Sequence, residues 1–403
     1  MNLTIDVMDA EKFMDANPLS WLSQQLGNLQ EQGLNRKRRR VTPLADGWCE
    51  IDGRRLLNFA DNDYLNLAHD PRLIESARTA LERAGVGSRA SALVTGRTDW
   101  HVRLEERLAD FEGQPAAVLF PTGYAANVGT IASLVGKSDV VFSDRLNHAS
   151  LIDGCRLSGA TICIYRRDEL DTLQRELGKA AGSRRRLIVT DSLFSMDGDI
   201  APLVDLCDLA TQHDAALLVD EAHGTGVFGH HGRGVAELMN VEDSVSVRIG
   251  TLSKAVGTLG GFVTGERRLI DWLWNRARTQ IFSTALPPSV CAAACRAIEI
   301  IQQEPWRRQR LSALAERLRS GVNEAGLSTI PNGIGPIVPV LLNDPTTAVT
   351  AARLLEDRGF LVAAIRPPTV PPGTSRLRIT LSCAHSEEHI AHLLQALSDV
   401  LKS

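Results

Sequence analysis

The stretch Gly250-Thr-Leu-Ser-Lys-Ala-Val-Gly-Thr-Leu-Gly-Gly261 surrounds a lysine, Lys254, with small residues, and the strand-like run Ser246-Val-Arg-Ile249 precedes it. The chain has six lysines, and the other five lie among polar or charged neighbours, as solvated lysines do. An enclosed lysine loses hydration, so its pKa falls toward the range in which the free amine is nucleophilic. Lys254 is therefore a candidate Schiff-base lysine. The alternative is a lysine that reaches solvent from a glycine-rich turn.

Length and composition limit the classes of protein to consider. A chain of 403 residues suits two domains, and a net charge of -4 gives no sign of nucleic-acid or membrane binding. The sequence has no run of eighteen apolar residues, and the acidic residues 1–10 lack the features of a signal peptide. Seven cysteines without a CxxC pair are typical of a reducing compartment. We expect a cytoplasmic protein with no disulfides, no metal site, and core thiols at Cys291 and Cys295.

Strand-like and helical segments alternate from about residue 70 to 290, which predicts an α/β domain with a mostly parallel sheet covered on both faces. The predicted strands are Ala117–Phe120, Val140–Ser143, Thr161–Tyr165, Arg186–Asp191, Ala216–Asp220, Ser246–Thr251 and Gly261–Gly265. We expect residues 1–60 to form a helical arm and a hairpin, 61–290 the large domain, and 291–403 a smaller α+β domain. The basic run Arg36–Arg40 in the arm is a solvated charge run, an anion site or a nucleic-acid patch.

Polar motifs follow five of the predicted strands, and parallel sheets bind ligands at the carboxyl ends of their strands. The motifs are Pro121–Tyr124, Asp144–His148, Asp191–Ser195, Asp220–His223 and Lys254. Polar motifs at five strand ends together indicate a ligand site, whereas one such motif alone would be weak evidence.

Each motif has a functional and a structural interpretation. The glycine turn Thr122–Asn127 opens a helix whose free N–H groups can hold a phosphate, or it is an ordinary N-cap. Asp220 is costly to bury without a cation, and a protonated ring nitrogen would supply one; otherwise it is a helix N-cap or a surface turn residue. His148 and His223 can contact an aromatic ligand or be structural. Arg378 can clamp a carboxylate or face solvent.

Together these groups predict a pyridoxal phosphate site with a lysine, a ring-nitrogen carboxylate, a stacking histidine and a phosphate turn. A different class, a motor driven by nucleoside triphosphates, is suggested by Asp220-Glu-Ala-His223, a helicase-like motif, and by Val135-Gly-Lys-Ser138, which ends like a phosphate loop. However, Ile131 stands where that loop needs a glycine, and Lys137 follows a predicted helix instead of a strand.

Seven motifs, in one order from about residue 45 to the end, resemble the α-oxoamine synthases. These motifs are Asn62–Leu65, Leu146–Leu151, Phe194–Asp199, Val219–Gly226, Thr251–Lys254, Ala364–Pro371 and Arg376–Leu381. The family consists of pyridoxal-phosphate-dependent acyl-CoA:amino-acid C-acyltransferases. The resemblance implies the fold-type-I transferase fold, with a mostly parallel seven-stranded sheet in the large domain and a smaller α+β C-terminal domain.

The resemblance also implies roles for the residues around the cofactor ring. Lys254 would form the Schiff base and remove the substrate's α-proton. Asp220 would pair with the ring nitrogen, His148 would stack on the ring, and His223 and Ser195 would contact its phenolic oxygen.

Further residues would hold the phosphate and the substrates. Gly123, Tyr124 and Thr251 would bind the phosphate. Ser283 and Thr284 would reach the phosphate of the neighbouring subunit, so the active form would be a homodimer with sites at the subunit interface. The substrate-binding residues implied are Arg378 for the amino acid's carboxylate, Asn62 beside it, Arg366 in the proline-rich loop, and Arg38 for the far end of the acyl chain.

The loop Arg366–Pro371 favours the family activity that condenses L-alanine with pimeloyl-CoA or a pimeloyl-carrier protein in biotin biosynthesis. Glycine C-acetyltransferase, 5-aminolevulinate synthase and serine palmitoyltransferase remain as alternatives within the family, and a non-catalytic pyridoxal-phosphate-binding protein remains outside it. The loop Gly87–Leu93 departs from the family's usual Ser-Gly-Gly-Ser-Arg, which leaves side-chain selectivity open.

Overall fold

The computed structural model describes residues 17–36 and 38–402, and it places helix α1 at Trp21–Glu31 in the predicted arm. The helical prediction for residues 1–16 lies outside the described residues. Strands β2 (Trp48–Ile51) and β3 (Arg54–Asn58) form the predicted hairpin, and β1 (Val41–Pro43) pairs with β2. Asp52 and Gly53 have φ values of 52° and 76°, the left-handed conformation that a two-residue hairpin turn requires.

The other elements follow in chain order. The strands are β4 (Ala116–Phe120), β5 (Val140–Asp144), β6 (Thr161–Tyr165), β7 (Arg186–Asp191), β8 (Ala216–Asp220), β9 (Val247–Thr251), β10 (Gly261–Gly265), β11 (Ile337–Asn343), β12 (Phe360–Leu361), β13 (Ala363–Ile365) and β14 (Ser375–Thr380). The helices are α2 (Pro71–Ala84), α3 (Asp99–Glu112), α4 (Gly123–Leu134), α5 (Ala149–Ser158), α6 (Leu170–Lys179), α7 (Leu203–Gln212), α8 (Val235–Leu238), α9 (Arg267–Arg276), α10 (Arg278–Ile281), α11 (Pro288–Gln303), α12 (Trp306–Glu324), α13 (Pro345–Asp357) and α14 (Glu387–Leu401).

Seven strands form one sheet in the order β4-β10-β9-β8-β7-β5-β6. Strand β10 is antiparallel to both of its neighbours, and the other pairs are parallel. The carboxyl ends of the other six strands therefore share one edge of the sheet. This pairing confirms the predicted mostly parallel α/β sheet. Apolar strands that are buried on both faces are typical of parallel sheets.

Burial on both faces of the sheet explains why most of these strands are continuous apolar runs in the sequence. Every residue of β4, β5, β9 and β10 is buried, and separate apolar clusters cover the two faces of the sheet. Strand β6 lies at the edge and is mostly exposed.

A smaller sheet, β11-β14-β13, belongs to the C-terminal part of the chain. The short strand β12 pairs in parallel with β3, so the C-terminal part also completes the sheet of the N-terminal hairpin. The largest apolar cluster contains Leu57, Leu104 and Leu393, and so extends across the expected boundaries near residues 60 and 290, which stay a proposal. No helix in the described ranges is both long and apolar enough to cross a bilayer.

Candidate active site

Lys254 lies in the loop between β9 and β10, just beyond the carboxyl end of β9. Burial lowers the pKa of its amine to about 8, although the charges of Asp220 and Asp191 act in the opposite direction. Arg378 adds to the lowering of this pKa. Near neutral pH a part of the Lys254 amine is therefore unprotonated and can act as a nucleophile or as a base.

A chain of hydrogen bonds joins Asp220, at the end of β8, to His148, the N-cap of α5. Asn127 Nδ2 donates to Asp220 Oδ2 over 2.6 Å and to Ser150 Oγ over 2.8 Å. The Ser150 hydroxyl and His148 Nδ1 are 2.7 Å apart. Burial lowers the pKa of His148, and the charge of Asp220 opposes that shift. The two groups expected to meet a cofactor ring are thus linked at one edge of the sheet.

Asp191, at the end of β7, is a second buried carboxylate and lies opposite Asp220 in the strand register. Its Oδ2 accepts a hydrogen bond of 2.6 Å from the backbone N–H of His148. Burial, and then the charge of Asp220, raises the pKa of Asp191 well above its usual value. Asp191 therefore anchors the start of α5, where His148 lies.

His223 is buried beside Tyr64, and the Tyr64 hydroxyl lies 2.7 Å from His223 Nδ1. Burial lowers the pKa of His223 well below its usual value, and the charge of Lys254 lowers it further. The Tyr64 hydroxyl also donates to Asn62 Oδ1 over 3.1 Å, and Arg378 Nη2 donates to the same oxygen over 3.1 Å. A single polar network therefore connects His223 with Arg378.

Arg378 lies on β14 of the smaller sheet, where its side chain is buried instead of facing solvent. Its Nε donates to the backbone oxygen of Ser195 over 2.6 Å. Through this bond the smaller sheet holds the loop that follows β7. Arg378 therefore contacts both Asn62, predicted beside it at the substrate carboxylate, and the backbone of Ser195, predicted at the cofactor's phenolic oxygen.

The turn at Gly123 opens helix α4, and the Thr122 hydroxyl accepts from Ala125 N–H over 3.0 Å. A Cβ added to Gly123 would lie 3.2 Å from Thr251 Oγ1, so the two predicted phosphate contacts are close neighbours. Tyr124 is exposed, and its hydroxyl donates to Asp153. The first turn of α4 thus presents free backbone N–H groups beside Thr251.

Four predicted residues lie outside this group of contacts. Thr284 forms an isolated bridge with Ser91 in the altered loop region, and Ser283 lies beside it. Arg366 Nη2 donates to the backbone oxygen of Asn35 in the arm over 2.7 Å, and Arg38 is exposed nearby in sequence. Arg366 and Arg38 thus belong to the surroundings of the arm, and Ser283 and Thr284 to those of the altered loop.

Three residues that sequence reasoning left without a role hold the site together: Tyr64, Asn127 and Asp191. Each belongs to one of the motifs described above, but its hydrogen-bond partner is distant in the chain. Asn127 meets Asp220 across 93 positions and Tyr64 meets His223 across 159. In the sequence, the signal for these three residues was a polar side chain near the end of a strand or helix.

These residues fit pyridoxal phosphate on four observations. Lys254 offers an amine of lowered pKa to an aldehyde, and Asp220 offers a buried carboxylate to a protonated ring nitrogen. The buried amide oxygen of Asn127 has no hydrogen-bond partner among the described residues, so the network around Asp220 has an unused acceptor. The turn at Gly123 presents N–H groups to an anion.

The geometry contradicts a phosphate loop at Val135–Ser138. This segment follows helix α4 and precedes β5, the reverse of the order that such a loop requires. The Gly136 N–H donates to Asp139 Oδ2 over 2.8 Å, so the protein's own carboxylate occupies the amide that a phosphate would need.

Comparison with known proteins gives the family. Residues 54–397 match the family described as aminotransferase class I and II. A relative from Alkalilimnicola ehrlichii named 8-amino-7-oxononanoate synthase is 49% identical over 392 residues, 96% of this chain and 100% of the relative. One of the same name from Anaeromyxobacter sp. (strain K) is 47% identical over 388 residues, 96% of this chain and 97% of the relative.

Solved structures agree with this result. Sphingomonas wittichii serine palmitoyltransferase has a TM-score of 0.90 and 33% identity, covering 96% of this chain and 98% of that one. A serine palmitoyltransferase from S. paucimobilis with PLP and myriocin bound has a TM-score of 0.91 and 32% identity, with the same coverage of 96% and 98%. The 8-amino-7-oxononanoate synthase of Francisella tularensis has a TM-score of 0.75 and 28% identity, over 86% and 98%.

The fold is therefore that of the fold-type-I transferases, and the cofactor is pyridoxal 5′-phosphate. The chain belongs to the aminotransferase class I and II family and, within it, to the α-oxoamine synthases that include the 8-amino-7-oxononanoate synthases.

Proposed function

We propose that the chain condenses L-alanine with pimeloyl-CoA or a pimeloyl-carrier protein, giving 8-amino-7-oxononanoate, CO2 and the free thiol. The names of relatives at 47% and 49% identity support this choice of reaction. The observation that carries the chemistry is the buried Lys254 amine, with its lowered pKa, beside Asp220 and Arg378.

Pyridoxal phosphate, when bound, supplies an electron sink that stabilises negative charge on the substrate's α-carbon. Lys254 Nζ would hold the cofactor covalently, and the Asp220 carboxylate would keep its ring nitrogen protonated. His148 would lie against the ring. Gly123 and Tyr124, at the start of α4, would bind the phosphate together with Thr251.

Lys254 would also move the proton. Burial keeps the pKa of its amine at about 8, so Nζ accepts the α-proton of alanine near neutral pH and can later return it. A carbon–carbon bond forms between that α-carbon and the thioester carbonyl, and the thiol leaves. The alanine carboxylate then departs as CO2, and a proton takes its place.

Arg378 would bind the alanine carboxylate with two parallel hydrogen bonds. Its guanidinium is already positioned by Ser195 and Asn62, so the substrate meets a preorganised donor. Arg366 and Arg38 would receive the far carboxylate of the acyl chain. The contact from Arg366 to Asn35 supports this proposal because it brings the loop and the basic arm together.

We also propose that two copies assemble as a homodimer in the cytoplasm. Ser283 and Thr284 would then complete the partner's phosphate site. The exposed Phe282 beside them, at 71% of its surface, is suited to burial against a second copy.

A substrate panel tests the proposed reaction against the other family activities. The protein loaded with pyridoxal phosphate is mixed with L-alanine, glycine or L-serine and with pimeloyl-, acetyl-, succinyl- or palmitoyl-CoA, and the free thiol is measured. Alanine with pimeloyl-CoA should give the highest rate. Turnover confined to glycine or serine would leave the family intact and overturn the proposed substrates, whereas binding without any turnover would favour a non-catalytic role.

A further inference from the structure

The hydrogen bonds around Tyr64 determine the direction in which each proton points. Arg378 is always a donor, so the Asn62 atom that faces Arg378 Nη2 at 3.1 Å must be the amide oxygen, an acceptor. The Tyr64 hydroxyl lies 3.1 Å from the same oxygen and must therefore donate its hydrogen to it.

That donation leaves only lone pairs on the Tyr64 oxygen. His223 Nδ1 lies 2.7 Å from this oxygen, and a bond between them requires that Nδ1 carry the hydrogen. Tyr64 is 1% exposed, so water does not compete for its hydroxyl. Burial also raises the pKa of Tyr64 to about 12, against the charge of Arg378, and the hydroxyl keeps its hydrogen.

We propose that Tyr64 is a positioning residue that holds His223 in the tautomer with hydrogen on Nδ1, so that Nε2 is an acceptor toward the cofactor. The burial of His223 works in the same direction because it favours the neutral ring. An oxygen of the cofactor that meets Nε2 must then carry a hydrogen itself. The Arg378 guanidinium, which would bind the substrate carboxylate, sets this preference through Asn62 and Tyr64.

The consequence for catalysis rests on the proposed function, but the tautomer itself does not. It can be read from the 15N spectrum of the full-length chain labelled in histidine, with pyridoxal phosphate bound and after its removal. His223→Gln assigns the resonances. We expect His223 to show a protonated Nδ1 and a bare Nε2 in both forms, and a protonated Nε2 with a bare Nδ1 would overturn the proposal.

Asn62→Ala tests the direction of the chain while leaving Tyr64 in place. Without the Asn62 acceptor, the Tyr64 hydroxyl should turn and donate to His223 Nδ1, which moves the imidazole hydrogen to Nε2. An unchanged tautomer in this variant would refute the inference. Tyr165→Phe is the control, since Tyr165 is equally buried but lies at the end of edge strand β6, and it should leave the His223 spectrum unaltered.

Tyr64→Phe adds a kinetic readout. The variant loses the hydroxyl's bonds to His223 and Asn62, and kcat should fall by about fivefold to tenfold while the KM for alanine changes by less than about twofold. An effect of Tyr64→Phe that is confined to the KM for alanine would contradict the positioning role of Tyr64. If the wild-type protein has the expected tautomer but no synthase activity, the proposed function fails and this inference stands. If it has synthase activity but the opposite tautomer, the proposed function stands and this inference fails.

Discussion

At the scale of single residues, the site depends on charges that are buried next to one another. Lys254 is enclosed with Asp220, Asp191 and Arg378, and burial outweighs the two carboxylates in setting its pKa. Motif order along the chain predicted Lys254 and Asp220 as site residues. It could not show that Asp191 and Asn127 brace them, since those contacts depend on which strands become neighbours.

The lowered pKa of Lys254 predicts how its reactivity changes with pH. In protein free of cofactor, the rate at which acetic anhydride acetylates Lys254 should rise with pH up to about 8 and then level off, and the exposed Lys402 is followed alongside it. The pKa values of the neighbouring His148 and His223 are both lowered, so their charge changes occur below this range.

Peptide mass spectrometry with isotopic reagents gives the two rates. A Lys254 rate that keeps rising tenfold per pH unit between about pH 8 and pH 10 would contradict an enclosed amine.

At the scale of elements, β10 brings the phosphate turn and the lysine loop together. Gly261 pairs with Phe120 on one side and with Thr251 on the other. A Cβ at Gly261 would lie 2.4 Å from the backbone oxygen of Thr122, so only glycine fits there. Apolar runs predicted β6, β7, β8 and β10 to the residue, whereas the short strands β12 and β13 were missed because pairing, not pattern, defines them.

Gly261→Ala should therefore destabilise the protein by about 1–3 kcal/mol and weaken pyridoxal phosphate binding, because the turn at Thr122 must shift. Urea unfolding and a cofactor titration measure the two effects. Gly178→Ala is the matched control, since a Cβ on this helical glycine meets nothing within 4 Å. Equal stability and affinity in the two variants would contradict the close packing at Gly261.

At the scale of the whole molecule, a buried ion pair joins the two main sheets. Arg376 on β14 meets the Asp197 carboxylate in the loop after β7 and donates to the Met196 oxygen over 3.1 Å. Arg167 also reaches Asp197, at 3.3 Å. The sequence suggested a C-terminal α+β unit, but not these contacts, which depend on how the sheets pack.

Asp197→Ala should cost about 3–5 kcal/mol, because it leaves the buried Arg376 without its carboxylate. The KM for alanine should rise as well, since Ser195, two residues away, contacts Arg378. Asp168→Ala breaks an exposed pair with Arg166 and should cost less than about 1 kcal/mol. Similar unfolding free energies for the two variants would show that the Arg376 contact does not join the sheets.

The most direct test of the proposed reaction is the fate of the alanine carboxyl carbon. The protein with pyridoxal phosphate is given L-alanine labelled with 13C at the carboxyl group together with pimeloyl-CoA, and labelled CO2 and free CoA are measured together. We predict equal amounts of the two products from the wild-type protein and neither from Lys254→Ala. CoA release without labelled CO2, or undiminished turnover in Lys254→Ala, would contradict the account.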